Sequence, residues 1–202
     1  MTEIEEGLRQ IAEIRSIMER SQKFLSLSGL AGVAAGIIGL VGTWAASVIM
    51  ERGEEGLIAS MVALGAAVLL AALAASFFFT VRQARRTNLP LWTRASQLLV
   101  FSLFLPLLAG GVLCLSLLLQ GIYEMLPAAM LLFYGLALFS ASHYTHAELR
   151  YLGYAQLALG TLAGFIPELG LLLWGTGFGI MHIVYGLLMY YRRDRDAAIG
   201  GS

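Results

Sequence analysis

Six long apolar runs, separated by short charged connections, constrain this chain more than any other feature. A bilayer core about 30 Å thick is crossed by about 20 apolar helical residues, so each run predicts a transmembrane helix. The runs are continuous rather than alternating, which excludes a transmembrane β-barrel. They cover residues 24–50, 57–81, 95–119, 125–142, 151–167 and 169–191.

The composition agrees with a membrane protein. Hydrophobic residues make up 58% of the 202 residues and charged residues only 13%, about half the ~25% share of a typical soluble domain. A soluble domain of this size could not bury so much apolar surface. The 13 basic residues are balanced by 13 acidic ones, so the chain has no excess positive charge for nucleic acid. We therefore expect an all-α membrane bundle with lipid as its surroundings and no nucleic-acid partner.

Basic residues are distributed unevenly over the connections. Twelve of the 13 lie before the first run, in the second and fourth connections, or after the last run; the exception is Arg52. Lysine and arginine accumulate on the cytoplasmic side of a membrane. The sequence therefore predicts six transmembrane helices in three hairpins, in the inner (plasma) membrane of a cell, with both termini in the cytoplasm. An odd number of spans would break the segregation.

This topology divides the chain into three parts. We expect residues 1–23 to form an amphipathic cytoplasmic helix, residues 24–191 the transmembrane domain, and residues 192–202 a cytoplasmic tail. The first helix carries apolar residues at helical spacing and is acidic overall, so an anionic leaflet does not attract it. We expect it to pack on its own bundle or on a partner. Together with the arginine-rich connection 82–94, it offers a cytoplasmic protein a docking face.

Small residues recur on three of the predicted helices. Helices in lipid have no hydrophobic reason to associate, so rows of small residues that permit close approach indicate the contacts. Each row predicts a tight helix–helix contact, either within the bundle or between subunits of a homo-oligomer. The rows comprise Gly29, Gly32, Gly36 and Gly39 in the first run, Gly160 and Gly164 in the fifth, and Gly175, Gly179 and Gly186 in the sixth.

His182 is the most informative single residue. It precedes Tyr191 by nine residues, which places it about 14 Å inside the last helix, near the membrane midplane. Ionisable groups at that depth face the protein interior and often have a function. Gln156 lies on the small-residue face of the preceding run at a comparable depth. The pair is interpreted either as a ligand or proton site, or as a neutral histidine that bonds Gln156 or a backbone carbonyl and tightens packing.

His143 and His146 stand three residues apart where the fourth run ends. Residues at this spacing share a helical face, so the two imidazoles could bind one metal ion, although two ligands do not complete a site. Motifs of enzymes are missing: no carboxylate lies well inside a run, and no nucleophile elbow or phosphate-binding loop is present. The sequence predicts neither an enzyme nor a resident cofactor.

The last two runs carry Gly153, Gly160, Pro167, Gly179 and Gly186, and this hairpin resembles the HdeD-like acid-resistance membrane proteins. That family is similar in having six spans, arranged in short glycine-bearing hairpins with a proline at the turn. The likeness is confined to this part of the chain. The amino-terminal helix and the arginine-rich connection depart from it. The resemblance supports the division into hairpins and implies no catalytic residue.

Three functions are compatible with the sequence. The leading one is a non-enzymatic scaffold for interaction or sensing that self-associates. The second is a small channel or carrier for a solute, although the spans hold few polar residues and no carboxylate to couple an ion. The third is a membrane protein that binds a metal or haem through its histidines.

Overall fold

The structure, a computed structural model, describes residues 28–53, 56–87 and 90–194. The predicted amphipathic helix and most of the tail lie outside these ranges. The described residues form helices joined by short connections, with no strand among them. In chain order the helices are α1 (Gly29–Arg52), α2 (Leu57–Thr87), α3 (Arg94–Leu119), α4 (Leu126–Ala141), α5 (Leu149–Phe165) and α6 (Pro167–Arg192).

Five of these helices are long and apolar enough to cross a bilayer, when the 3₁₀ turn Tyr123–Met125 is counted with α4. The sixth, α5, has 17 residues, at the lower end of the ~17–25 that span a membrane. The prediction of an all-α chain with the helices of a multi-pass membrane protein is confirmed at this level.

Local sequence explains where the helices begin and end. Thr93 caps α3 through a reciprocal pair of bonds, in which the Ser96 amide donates to the Thr93 hydroxyl and the Thr93 amide to the Ser96 hydroxyl. Gly53 ends α1 with φ of +58°, in the left-handed region that glycine tolerates best. Pro167 disfavours helix in the residue before it, so α5 stops at Phe165 and a 3₁₀ turn opens α6.

One helix is longer than its apolar run predicts. Helix α2 continues beyond residue 81 to Thr87, so its last turns carry Arg82, Arg85 and Arg86. Basic side chains in the last turn interact favourably with the negative end of the helix dipole. The polar flank of a transmembrane run therefore extends the helix instead of ending it.

Close approach between helix backbones determines the packing. Helix α1 lies antiparallel to α6: a methyl group added to Gly36 would stand 2.6 Å from the Gly179 carbonyl oxygen, and one on Gly32 would stand 3.0 Å from the Gly186 Cα. Helices α4 and α5 meet in the same way, with Gly160 against the backbone of Leu132. These contacts exclude a side chain of any size at the glycines.

The core lies between α3, α4, α5 and α6. One buried cluster occupies the end of the bundle around Leu99, Leu138 and Leu152, and a second lies around Leu131 and Leu173 nearer the other end. Helix α2 is peripheral, since its one extensive contact is with α1 and none of its residues from 57 to 83 is buried.

Candidate functional site: a buried tyrosine–histidine–glutamine cluster

Helix α6 changes its winding at the centre of the molecule. Residues Thr176–Met181 form a π-helix between the α-helical segments Gly170–Gly175 and His182–Met189. Stretches of π-helix are rare and are frequently found at functional sites. The His182 amide here donates to the Gly179 carbonyl. The widened turn brings the side chain of His182 back to the carbonyl of Gly177.

His182 is buried, with 6% of its surface exposed, and both of its ring nitrogens have partners. Nδ1 lies 2.9 Å from the Gly177 carbonyl oxygen. Nε2 lies 2.8 Å from the hydroxyl of Tyr134 on α4. The ring also stacks on Tyr134, with 5.4 Å between the ring centroids. Residues of two different helices, Gly177 of α6 and Tyr134 of α4, therefore hold one imidazole.

These contacts fix the tautomer. A carbonyl oxygen only accepts hydrogen bonds, so the proton is on Nδ1, which donates to Gly177. In the neutral ring Nε2 is then an acceptor, and the Tyr134 hydroxyl donates to it. His182 is bonded to Tyr134 and Gly177 and lies beside Gln156, and none of these three carries a negative charge. Because a buried cation without a counter-charge is costly, the ring is neutral.

Gln156 on α5 completes the cluster. Its side chain is fully buried, and its Nε2 donates to the same Gly177 carbonyl at 2.8 Å. The 3.5 Å between this Nε2 and the Nδ1 of His182 separates two donors, so the two residues share an acceptor rather than bonding each other. The structure thus brings the two residues singled out by the sequence side by side, with a backbone carbonyl as their common partner.

The position of Gly177 depends on its lack of a side chain. A methyl group there would collide with Gln156 Oε1 and would stand 2.5 Å from Cδ2 of Leu131. Gln156 Oε1 is itself buried and has no hydrogen-bond partner among the described residues. If the amide were rotated by 180°, Oε1 would face the Gly177 carbonyl oxygen. Both atoms accept hydrogen bonds, so they would repel each other. The amide is therefore held in one orientation.

Aromatic side chains connect the cluster to one end of the bundle. Phe178 packs against Tyr134 at 4.8 Å between centroids and against Trp174 at the same separation. Trp174, Phe178 and His182 stand four residues apart on α6, the spacing that aligns side chains on one helix face. The row makes a rigid aromatic wall from the membrane centre towards the end where α6 begins.

The chemistry of this arrangement is that of a packed polar core. The ring nitrogens of His182 are both in use, so coordination of a metal or haem iron would require one of the two bonds to break. Proton transfer would have to start from Tyr134, the donor to Nε2. Oε1 of Gln156 is a buried acceptor with no partner among the described residues.

His143 and His146 lie outside the helices. Helix α4 ends at Ala141, so both residues stand in the connection to α5 rather than on one helical face, and a metal ion shared by the two stays a prediction. His143 is exposed, and its Nδ1 bonds the Ser140 carbonyl at 3.1 Å. His146 is buried. Within the described ranges, no three metal-ligating side chains come together.

The glycine rows fall in different environments. Gly29, Gly32, Gly36 and Gly39 all face the backbone of α6, where Gly179 and Gly186 lie. Gly175 meets the side chain of Thr43, and Gly160 faces α4. Gly164 differs from the rest: it is exposed, and a methyl group there would make an ordinary 3.8 Å contact with Ala128.

Sequence reasoning missed Tyr134 and Gly177. Tyr134 stands in the middle of the fourth apolar run, away from the boundaries where tyrosine usually lies. A phenol at that depth needs a hydrogen-bond partner, and this signal could have linked it to His182. Nothing in the sequence distinguishes Gly177 from the other glycines of α6, because its role depends on the carbonyl it exposes.

No family model matches the chain, and neither the curated proteins nor the solved structures contain a match to it.

Proposed function

We propose that the protein is a non-enzymatic scaffold of the inner membrane that associates with copies of itself. Its topology in this proposal is six spans in three hairpins, with both termini in the cytoplasm. The different charges at the two ends of the bundle support this topology. Among the described arginines, Arg52 alone lies at the end that also holds Glu51, Glu124 and Glu168. The other end holds Arg82, Arg85, Arg86, Arg94, Arg150 and Arg192.

The polar cluster favours a scaffold over a conduit. Tyr134, His182 and Gln156 direct their donors to one another and to one carbonyl. A path for a solute needs polar groups that face open space, whereas the side chains of Gln156 and His182 are at least nine-tenths buried. The cluster is thus suited to fixing α4, α5 and α6 in one arrangement.

Self-association requires a surface that the chain itself does not use. The glycines of α1 are occupied by α6, so they are not free for a second copy. Helix α2 is different, because its one extensive contact is with α1. The face turned away from α1 carries an exposed row of small residues four apart, Ala59, Ala63, Ala67 and Ala71. Such rows allow transmembrane helices to approach closely, and this uncovered row is the observation that carries the proposal.

The test replaces Ala63 and Ala67 by leucine. We expect energy transfer between donor-labelled and acceptor-labelled copies in liposomes to fall to the level of randomly mixed proteins, because two isobutyl groups keep the α2 helices apart. Ala109→Leu is the matched control, since Ala109 is an exposed alanine on α3. Equal energy transfer in the double variant and the control would contradict association through α2.

The proposal also includes a protein partner in the cytoplasm. A cytoplasmic protein partner would dock at the basic end of the bundle, where Arg82, Arg85 and Arg86 form the last turns of α2. The resemblance of the last two helices to HdeD-like proteins stays a prediction.

A further inference from the structure

A cavity of about 680 Å³ lies outside the polar cluster, near the end of the bundle that holds Glu51, Glu124 and Glu168. We call this the acidic end. The cavity is bounded by α1, α2, α3, α4 and the start of α6. Its volume is within the ~300–1,000 Å³ of small-molecule sites. The cavity exists because α2 packs extensively against α1 only, which leaves a gap between α2 and helices α3 and α4.

The walls of the cavity are aliphatic and flexible. Met61 of α2, Leu115 of α3 and Met130 of α4 are examples from three sides. Methionine adapts to the shape of an apolar ligand because its side chain is unbranched and polarisable. These walls are suited to an alkyl chain or another apolar body and offer no partner to a strongly hydrated molecule.

The lining at the acidic end is negatively charged rather than aliphatic. Glu124 and Glu168 both line the cavity and are exposed. Neither has an ion-pair partner among the described residues, and Arg52, at the same end, is not part of the lining. Two unpaired carboxylates on a low-dielectric cleft concentrate cations there and repel anions.

Trp174 adds aromatic surface and a hydrogen-bond donor. Its ring lines the cavity, and tryptophan is the best aromatic partner for an organic cation. Its Nε1–H is buried and has no acceptor among the described residues.

We infer that the cavity binds a hydrophobic organic cation, with its apolar body between α2, α3 and α4 and its ammonium group beside Glu124 and Glu168. The charge of the lining selects this occupant over a fatty acid or a phospholipid phosphate. The inference is independent of self-association, since the alanine row of α2 lies on the face away from the cavity.

The first experiment measures charge selectivity with the full chain in lipid nanodiscs. Lauroylcholine is the probe, and laurate and methyl laurate are the anionic and neutral compounds with the same chain. Binding to empty nanodiscs is subtracted in equilibrium dialysis. We expect saturable binding of lauroylcholine at one site per chain and none of laurate. The conservative variant Glu124→Gln/Glu168→Gln should weaken lauroylcholine between about threefold and thirtyfold, as expected for two solvent-exposed ion pairs.

The second experiment locates the site with a matched pair of variants on α3. Leu115 and Leu105 are both exposed, at 55% and 58%, but only Leu115 lines the cavity. We expect Leu115→Trp to narrow the cavity and weaken saturable binding, and Leu105→Trp to leave it unchanged.

Three results would overturn the inference. They are equal binding of lauroylcholine and laurate, equal binding by the two tryptophan variants, and no saturable binding in any chain. A fourth result would be a protein mass that corresponds to two chains per particle and that Leu115→Trp lowers to one. It would identify a second copy as the occupant of the cavity and would also overturn the inference. Energy transfer on the same preparations tests self-association separately, so failure of one proposal is distinguishable from failure of the other.

Discussion

The imidazole of His182 shows how a single buried polar residue is accommodated in an apolar helix. The free-energy cost of burying this ring is offset by two hydrogen bonds, to Gly177 and Tyr134, and by stacking on the rings of Tyr134 and Phe178. The depth of His182 and the position of Gln156 were accessible from helical periodicity. The carbonyl that joins them was not, because no sequence pattern indicates which backbone oxygen a π-helical turn exposes.

Removal of the Tyr134 hydroxyl tests this network. Tyr134→Phe leaves Nε2 of His182 buried without a donor, and we expect a loss of about 0.5–2 kcal/mol in the free energy of unfolding. Tyr154→Phe is the control, because Tyr154 is 49% exposed. The measurement is reversible unfolding in mixed micelles. Equal stability of the two variants would show that the Tyr134–His182 bond contributes nothing.

The tautomer of His182 is a second prediction at this scale. Nitrogen-15 NMR of histidine-labelled protein should show the proton of His182 on Nδ1, which donates to Gly177. A variant is needed to assign this signal, because Nδ1 of His143 also has a carbonyl partner. In a His182→Gln variant that signal should disappear while those of His143 and His146 remain. A His182 signal with the proton on Nε2 would contradict the assigned direction of both hydrogen bonds.

At the scale of helices, the periodicity of small residues located the contact faces but not the partners. The glycines of α1 lie against α6, a pairing between the first and last helices that no local pattern specifies. The helix ends were harder to place. Polar Arg82, Arg85 and Arg86 continue α2 to Thr87, while α4 stops at Ala141 and leaves His143 outside the helix. An apolar run predicts which residues lie in lipid. The ends of a helix depend instead on capping residues and turns, which the apolar pattern does not show.

The α1–α6 contact predicts a sharp contrast between two glycines. A methyl group on Gly36 would lie 2.6 Å from the Gly179 carbonyl oxygen and 2.8 Å from the Ile183 amide, both backbone atoms that cannot rotate away. Gly65 on α2 has open space around it. We expect Gly36→Ala to lower the free energy of unfolding by about 1–3 kcal/mol and Gly65→Ala to cause no loss. A stable Gly36→Ala variant in the same unfolding assay would refute the close approach of α1 and α6.

For the whole molecule, the number of membrane spans depends on whether α5 crosses the bilayer. Its 17 residues would cover about 26 Å as a straight helix, slightly less than the ~30 Å apolar core. Two features favour a crossing. Helix α5 packs extensively along α4, and a basic residue is found at its first end alone: Arg150 stands there beside Glu148, whereas Glu168 follows the second end. A helix lying at one surface would place both ends on the same side.

Cysteine labelling in intact cells tests this crossing. In a Cys114→Ser background, we introduce Ala147→Cys before α5 or Leu169→Cys after it; both positions are exposed. A membrane-impermeant maleimide should label residue 169 from outside, and residue 147 only after the cells are permeabilised. Gln120→Cys, after α3, is the control for an outer position. Because six spans require α5 to reverse sidedness, labelling of residues 147 and 169 from the same side would reduce the count to five and place the carboxyl terminus opposite to the start of α1.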